Sequence, residues 1–429
     1  MNRQLTRPAL RNAALISLIA FLPSAIVVWV ANQRGPLDDG WWYLDVGHAL
    51  ATGMGYQYPQ GAWPGKPTAW RPPLWAFIES IFFRFLPLQN ALSNIHVAGL
   101  AMHGVTILGT VLLVWMLSGS RRAMICAGLI VSLWPSAITA IIGGDSEPCA
   151  GAIIAAGTAL VVSGGRRFWY GTLVLSLLPM VRSNFLILPF WIAFLWFVLR
   201  FRSPGLTLEV SQRTSGLLLA GMLFYIPMSA WVVRNYVTTG IFPLVASEQG
   251  AAIYGDWNAV TTTPGPAFGD WIYPEWLPGE SSRIEKARTM PEVEMDRIYR
   301  RKGLQFLENH WRRIPVVMVA HVVRAILPQK SASPGRLNWK YRIPDWLFRI
   351  GIYATAIFLI IRKPPSSVSW YGLILSAGAL SVMTTVLLFH GEQRFLYPLT
   401  VLLVVFVCSR FTTDASGEMP GHRRQAERW

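Results

Sequence analysis

Charged residues and cysteines are scarce in this 429-residue sequence. Only 14% of the residues are Asp, Glu, Lys or Arg, against about 25% in soluble domains, so an ordinary soluble protein is excluded. The hydrophobic fraction of 53% excludes a disordered chain, and the presence of only 3 cysteines excludes a disulfide scaffold. What remains is a polytopic membrane protein, in which apolar runs of about 20 residues cross the bilayer.

Acidic residues are fewer than basic ones, and the formal net charge is +16. The basic residues cluster in short connections between apolar runs, such as Arg121-Arg122, Arg166-Arg167 and Arg362-Lys363. This pattern is typical of cytoplasmic loops beside a lipid bilayer and argues against nucleic acid as a partner. The histidines and cysteines show no metal-ligand spacing, so no cofactor is implied with certainty, and a divalent metal is left open.

Ten apolar runs are predicted to be membrane spans: 13–32, 95–117, 123–142, 147–163, 168–182, 184–200, 214–233, 345–362, 370–389 and 394–411. The positive clusters each follow an inward crossing, so both termini are predicted to be cytoplasmic. We therefore predict an all-α, multi-pass protein of the inner (plasma) membrane with about ten transmembrane helices.

The predicted spans divide the chain into four parts. Residues 1–233 form a transmembrane core of seven spans, 234–343 an outer-face loop, 344–412 three further spans, and 413–429 a basic cytoplasmic tail. A first outer loop covers 33–94 within the core. Outer loops of this size inside a compact membrane protein usually carry function.

The outer loop 234–343 contains two predicted interfacial helices. The segment from Thr289 to Glu292 reads as a capping box, and one apolar face follows it: Met295, Ile298, Tyr299, Phe306 and Leu307. We expect this helix to rest on the outer leaflet. The run 314–328 is short and contains His321 and Arg324, so we expect an interfacial helix rather than an eleventh span.

Acids and a basic motif stand out in the first outer loop. Asp38, Asp39 and Asp45 lie among aromatic residues, which fits either a solvated aromatic belt or a general base with a tuned pKa. Arg71 precedes two prolines, which hold it extended with a helix starting after them. Such an arginine either snorkels to the interface or grips a lipid-linked phosphate.

These motifs resemble the C-type (GT-C) superfamily of polyprenyl-phosphate-sugar-dependent glycosyltransferases, in the family 39-like branch of aminoarabinose transferases and protein O-mannosyltransferases. The matching residues are Asp39 with Tyr43, then Gly53-Met54-Gly55-Tyr56, and then Arg71-Pro72-Pro73-Leu74-Trp75. The resemblance implies that Asp39 is the catalytic base and Arg71 the cation at the lipid phosphate. Gly40 stands where many relatives have a second acid, so Asp38 is the alternative acid. Trp70 replaces a glutamate of the aminoarabinose transferases, which argues against that specificity.

The resemblance continues more weakly along the chain. Its later motifs are Asp145-Ser146-Glu147, Arg182-Ser183-Asn184, Trp231 with Arg234-Asn235, and Glu392-Gln393-Arg394. It implies that Arg234 or Arg394 assists Arg71 at the phosphate. The remaining candidates are expected to support the sugar or acceptor: Tyr43, His48, Trp70, Asp145, Glu147, Arg182, Asn235 and Glu392. His48, on the helix after Asp39, fits a sugar contact or simple packing.

The implied reaction transfers a sugar from a polyprenyl-phosphate donor to an acceptor hydroxyl at the outer face, with inversion at the anomeric carbon. The acceptor is a glycan, a glycolipid or a protein, and neither it nor the sugar is identified by the sequence. Two other functions stay open: a ligase or polymerase that uses a polyprenyl-diphosphate glycan, and a flippase or transporter of lipid-linked sugars.

Overall fold

The structure is a computed structural model, and it describes residues 6–31, 39–58, 60–86, 91–202, 207–208, 214–240, 242, 245–327, 343–362 and 367–415. Asp38 and the basic tail from residue 416 onward lie outside the described residues. Almost all of the regular structure is helical. The described strands are the two-residue β1 (Thr207–Leu208) and β2 (Ser367–Val368), which pair in parallel.

Seven described helices are long and apolar enough to cross a membrane: α1 (Arg7–Val30), α4 (Ala91–Ser118), α9 (Leu188–Arg202), α10 (Thr214–Thr239), α15 (Ile343–Arg362), α16 (Trp370–Leu388) and α17 (Tyr397–Ala415). Two of them, α9 and α17, are extended by the 3-10 turns that lead into them, Ser183–Ile187 and Gln393–Leu396. Each helix falls on a predicted span. The prediction of an all-α polytopic membrane protein is confirmed.

The three other predicted spans are shorter helices. Helices α5 (Arg121–Ser132) and α6 (Pro135–Gly143) form a pair bent by 45°, which would make an eighth span. Helix α7 (Glu147–Ser163) has 17 residues and α8 (Arg166–Leu175) has 10. At about 1.5 Å per residue, α8 covers roughly half of the hydrocarbon core, so it needs the 3-10 turn Leu178–Met180 to extend it.

Helix α4 is the centre of the membrane bundle and packs against α1, α5, α7 and α17. Gly109 and Gly171 are two of the glycines that allow neighbouring helices to approach one another closely. A methyl group at Gly109 would lie 2.8 Å from the backbone of Ala155 on α7, and one at Gly171 on α8 would lie 2.7 Å from the carbonyl oxygen of Gly157. Such contacts let helix backbones approach closely, as is common between membrane helices.

The remaining helices belong to the two predicted outer segments. The first loop contains α2 (Gly40–Ala51) and α3 (Leu74–Phe85). Helix α2 ends shortly before Gly53, which takes φ +82°. Helix α3 begins directly after Pro73, so the predicted helix start after the two prolines is confirmed. The second segment contains α11 (Gln249–Asp256), α12 (Arg283–Thr289), α13 (Glu292–Asn309) and α14 (Ile314–Ile326).

The predicted capping box at Thr289 is wrong. Thr289 is the last residue of α12, and the capping box is formed by Ser282 and Glu285 at the start of that helix. Pro291 has an extended backbone and precedes α13 without a side-chain cap. Because Pro291 separates two helices, the chain turns there and α13 starts at Glu292.

The amphipathic helix α13 is present, but protein covers two residues of its predicted apolar face. Met295 and Tyr299 are buried in one cluster with first-loop and α11 residues: Tyr58, Ala62, Trp63, Trp70 and Ala251. Gly250 permits this packing, because a methyl group there would overlap the carbonyl oxygen of Asp296. Met295 and Tyr299 therefore contact the first loop and α11 rather than the outer leaflet, whereas Ile298, Phe306 and Leu307 are half-buried.

Helix α14 packs against α16 and the 3-10 turn Gln393–Leu396. Its 13 residues reach about 20 Å, less than the roughly 30 Å hydrocarbon thickness. Val317, His321 and Arg324 face the protein, whereas Val316 and Val319 are exposed. A helix with one buried and one exposed face is typical of an interfacial helix. That 314–328 lies along the interface rather than crossing the membrane stays a prediction.

Candidate active site

Three chain segments bring one carboxylate and two guanidinium groups together. Asp39 directly precedes α2, Arg71 lies just before the two prolines that start α3, and Arg394 lies in the turn that leads into α17. Arg71 Nη2 donates to Asp39 Oδ1 at 2.6 Å, and Arg394 Nη1 donates to Asp39 Oδ2 at 2.6 Å. We call these three residues the Asp39 clamp.

The charges of the clamp stabilise one another. Burial would raise the pKa of Asp39, but Arg394 and Arg71 outweigh it and hold that pKa well below its usual value. Asp39 is 4% exposed, so its carboxylate is shielded from water. The clamp therefore holds an ionised carboxylate and two positive side chains at the same place.

More charged side chains surround the clamp. Arg394 Nε donates to Glu392 Oε2, and Arg182 Nη2 donates to Glu147 Oε1. Arg71 Nη1 also lies 3.7 Å from Glu248 Oε2. The positive charge of Arg182 acts on Asp39 and on Tyr43, which places it close to both. Six of the predicted site residues thus lie around Asp39: Tyr43, Arg71, Glu147, Arg182, Glu392 and Arg394.

A cavity of about 430 Å³ opens beside the clamp. Its polar wall contains Asp39, Tyr43, Arg71, Arg182, Asn184, Glu248, Gln249, His390 and Arg394. Its apolar wall contains Trp70, Val181, Leu186, Ile187, Trp271, Leu388, Phe389 and Phe395. A site with a few converging polar groups and a largely apolar lining is the usual form of a small-molecule or lipid site.

Asp145 lies two residues before the start of α7, near Arg182 and the buried Glu79. It does not line the cavity. Burial and the charge of Asp145 raise the pKa of Glu79 well above its usual value. The predicted pair Asp145 and Glu147 therefore lies beside the cavity rather than in its wall, with Glu147 reaching the site through Arg182.

Three predicted residues lie away from the cavity. Arg234 donates to the carbonyl oxygens of Thr68 at 2.6 Å and Tyr56 at 2.9 Å, with its guanidinium 4.7 Å from the Trp231 ring centre. Asn235 accepts from Arg234 at 3.0 Å. His48 is exposed on α2 and packs edge-on against Phe83. Arg234 therefore binds the backbone of the first loop. Arg394, and not Arg234, shares the carboxylate of Asp39 with Arg71.

The second outer segment closes over the first loop through Glu292. Its carboxylate accepts from Thr68 Oγ1 at 2.7 Å, Ala69 N at 3.1 Å and Ser247 Oγ at 2.6 Å. Nearby, the Arg283 guanidinium lies 3.8 Å from the ring centre of Trp70. These contacts bring Glu248 and Gln249 into the cavity wall, with Glu248 close to Arg71 of the first loop.

The sequence did not single out Glu248, Asp256 or His390 as site residues. Glu248 directly precedes α11, and its pKa is raised by burial against the opposing effect of Arg71. His390 contacts Asp256, which ends α11. A usable signal for His390 was its position two residues before Glu392, at the predicted outer end of a span.

Metal-ligating side chains do not converge anywhere in the described ranges: no group of three or more His, Cys, Asp or Glu residues is arranged to hold a metal ion. Around the clamp, the oxygens of Asp39 instead accept from arginines.

No protein-family model and no curated protein matches this sequence. Among solved structures, the Archaeoglobus fulgidus oligosaccharyltransferase in complex with Zn and sulfate is similar, with TM-score 0.54 and 12% identity over 94% of this chain and 49% of that chain. AglB from the same organism, with an inhibitory peptide and a dolichol-phosphate, gives TM-score 0.50 and 14% identity over 94% and 50%. ArnT from Cupriavidus metallidurans, bound to undecaprenyl phosphate, gives TM-score 0.43 and 13% identity over 93% and 79%.

The chain spans about half the length of the oligosaccharyltransferase chains that it matches. At these identities, the likeness shows a shared fold. The described helices thus share their fold with part of these solved chains, and the chemistry has to be argued from the site itself.

Proposed function

We propose that this chain is a membrane glycosyltransferase that moves a sugar from a polyprenyl-phosphate donor to an acceptor hydroxyl at the outer face. The observation that carries the proposal is the meeting of Arg71, Arg394 and Arg182 at one cavity. Two of these arginines are held by the same carboxylate, so their positions are fixed before any ligand arrives. Planar guanidinium groups are suited to bidentate binding of phosphate.

The arginines supply the chemistry that a phosphate leaving group requires. When the bond between the anomeric carbon and the phosphate oxygen breaks, negative charge grows on that oxygen. Fixed positive groups stabilise this charge at no reorganisation cost, which is usually the largest catalytic contribution. A single displacement by the acceptor oxygen inverts the anomeric carbon.

The apolar wall of the cavity supports a lipid-linked donor. Leu186 and Ile187 come from the 3-10 turn before α9, and Leu388 comes from the end of α16. Both helices are candidate spans, so this wall is continuous with the membrane-facing part of the protein. A prenyl chain would lie along it with its phosphate at the arginines. AglB, whose fold this chain shares, was solved with a dolichol-phosphate.

Asp39 as the general base stays a prediction. Both of its oxygens accept from guanidinium groups, and the arginines hold its pKa low. A carboxylate with such a low proton affinity is a weak base at neutral pH. The geometry favours a second role, in which Asp39 keeps Arg71 and Arg394 in position for the phosphate.

The outer-face location rests on the arrangement of basic connections. The connection between α7 and α8 carries Arg166 and Arg167, whereas the opposite ends of these two helices lead to Glu147 and to Arg182 at the cavity. Basic residues gather on the cytoplasmic side, so the cavity is proposed to open on the outer side.

The test follows label from a polyprenyl-monophosphate-linked sugar in membranes that contain the protein, since the membranes supply the acceptor. We expect label to leave the lipid fraction, and we expect Arg71→Ala to lower donor affinity by about 10- to 100-fold, from the loss of charged hydrogen bonds. Arg84→Ala is the matched control, because Arg84 is exposed on α3 and does not line the cavity.

Two results would overturn the proposal. One is transfer from a diphosphate-linked glycan but not from the monophosphate donor. The other is movement of the intact lipid-linked sugar across the membrane with its bond to phosphate unbroken.

A further inference from the structure

A histidine and a buried carboxylate form a pair at the cavity, at some distance in sequence from the predicted site motifs. His390 follows the end of α16, and its ring lines the cavity. Its Nδ1 lies 3.1 Å from Asp256 Oδ1 and 3.3 Å from Oδ2. Asp256 is 0% exposed, so the contact is shielded from water.

The pairing fixes which nitrogen of His390 can accept a proton. When Nδ1 carries the hydrogen that is donated to Asp256, Nε2 is the basic nitrogen of the neutral ring. Burial raises the pKa of Asp256 to about 6, against the lowering effect of His390. The hydrogen bond with His390 favours the ionised form of Asp256, which accepts from Nδ1.

The protein fixes the position of the ring as well. Trp271 stacks on His390 with ring centres 5.8 Å apart, and Phe395 lies 5.0 Å away. The next residue, Gly391, lies directly against α14, where a methyl group would overlap the carbonyl oxygen of His321. Trp257 Nε1 donates to the carbonyl oxygen of Leu388 at 3.0 Å, which ties the end of α11 to the end of α16.

His390 is also connected to the clamp. Its Nε2 lies 3.9 Å from Glu392 Oε1, and the other oxygen of Glu392 accepts from Arg394. Arg394 in turn donates to Asp39. The histidine and the arginines that would hold the donor phosphate therefore line the same cavity, linked through Glu392.

We propose that His390, oriented by Asp256, is the group that removes the proton from the acceptor hydroxyl. This inference rests on the proposed glycosyl transfer. The acceptor oxygen forms a bond to the anomeric carbon, and the bond from that carbon to the phosphate oxygen breaks. Its electron pair stays on the polyprenyl phosphate, and the acceptor proton moves to His390 Nε2 and later to water.

The other carboxylates of the cavity are less suited to this task. Each oxygen of Asp39 already accepts from an arginine. Glu248 is partly exposed and lies 3.7 Å from Arg71 Nη1, so it faces the positive charge that the phosphate needs. A carboxylate beside a histidine stabilises the positive ring that forms when the histidine takes up a proton. The carboxylate therefore makes the histidine a better general base.

Asp256→Asn is the sharpest variant, because it keeps the side-chain shape. The new amide can donate to Nδ1, which makes Nε2 the protonated nitrogen and removes the basic site. We expect this variant and His390→Gln each to lower kcat by about 10²- to 10⁴-fold, while KM for the donor changes by less than about threefold.

The experiment measures transfer of labelled sugar from the polyprenyl-monophosphate donor in membranes, with binding of undecaprenyl phosphate to the purified variants as a test of folding. His310→Gln is the matched control, because His310 stacks on Phe306 at the end of α13, outside the cavity. Added imidazole is expected to restore part of the rate of His390→Ala, which a merely structural role would not allow.

The pH profile supplies a second readout. We expect the wild-type kcat to fall at acidic pH, as His390 becomes protonated, and this acidic limb to be lost in His390→Gln. The charged and titratable groups around this histidine are Asp256, Asp270, Tyr273, His321, Arg324, Glu392 and Arg394. If kcat falls at acidic pH in the same way in the wild type and in His390→Gln, the fall belongs to one of these neighbours and not to His390.

The outcomes separate the two proposals. If the wild type transfers sugar and His390→Gln keeps kcat within about threefold, His390 is not the base and the transferase proposal stands. If the wild type shows no transfer from the monophosphate donor, the transferase proposal itself fails. Loss of transfer in His390→Gln together with loss of undecaprenyl phosphate binding would overturn the base assignment in favour of a structural role.

Discussion

Asp39→Asn tests whether this carboxylate holds the two arginines in place. The substitution keeps the size of the side chain but removes its charge. One guanidinium can still donate to the amide oxygen, whereas the other faces an amide N–H group. Both 2.6 Å contacts of the clamp are therefore weakened or lost.

The expected cost follows from the burial of the clamp. Removing one partner of a buried ion pair costs about 3–5 kcal/mol, because the other charge is left uncompensated. The Arg71 and Arg394 side chains are 12% and 24% exposed, so water screens part of that charge, and we expect the lower end, about 3 kcal/mol. Misplaced arginines should also weaken binding of undecaprenyl phosphate by about tenfold, or 1.4 kcal/mol.

The assay combines thermal unfolding with equilibrium binding of undecaprenyl phosphate to the purified protein in detergent. Asp45→Asn is the control, because Asp45 lies on α2, the helix that Asp39 precedes, and accepts a hydrogen bond from Gln60 outside the cavity. If Asp39→Asn binds the lipid as tightly as the wild type and yet transfers no sugar, Asp39 acts as the base and the positioning argument is refuted. Unchanged stability would refute the calculation from burial.

Three further substitutions test the frame around the cavity. Glu292→Gln should destabilise the contact between the outer segments by about 1.5–3 kcal/mol, since a charged acceptor of three hydrogen bonds is lost, and hydrogen exchange at residues 66–70 should increase. Unaltered hydrogen exchange at residues 66–70 would contradict this role of Glu292. Gly391→Ala should displace His390 and lower kcat, because the added methyl group overlaps the backbone of α14. Gly351→Ala on α15 is the control, because a methyl group there meets open space. Equal kcat values for the two variants would contradict this prediction. Burial raises the pKa of Asp296 from 3.8 to about 6, so the folded state binds more protons and thermal stability should fall as pH rises from about 4 to 6. Asp296→Asn should make thermal stability less dependent on pH in this range. If the melting temperature of this variant changes with pH as in the wild type, Asp296 is not the group responsible.

The membrane helices could be predicted because their cause is local. A run of about 20 apolar residues must form a helix in lipid, since every backbone polar group needs a partner within the segment. The run 168–182 was predicted less well: its α-helix ends at Leu175, and Pro179 lies in a following 3-10 turn. The clamp was predictable in part, because Asp39 and Arg71 each stand beside a recognisable helix start.

Local patterns also misled where the decisive contact was distant. The apolar face of α13 predicted a helix on the leaflet, but the sequence pattern does not reveal whether lipid or protein covers such a face. The approach of α11, permitted by Gly250, decided that question. Arg234 and Arg394 were equal candidates for the phosphate until the fold directed Arg234 to the carbonyl oxygens of the first loop.

By itself, the sequence determined that this chain crosses a membrane many times and that an acid and an arginine stand before the two helices that follow its first span, because helix periodicity and helix ends depend on neighbouring residues. Only the tertiary structure decided which charges meet. Asp39 and Arg394 are 355 residues apart, and His390 and Asp256 are 134 apart. Contacts over such separations depend on how whole helices pack, and that packing carries no short-range signal in the chain.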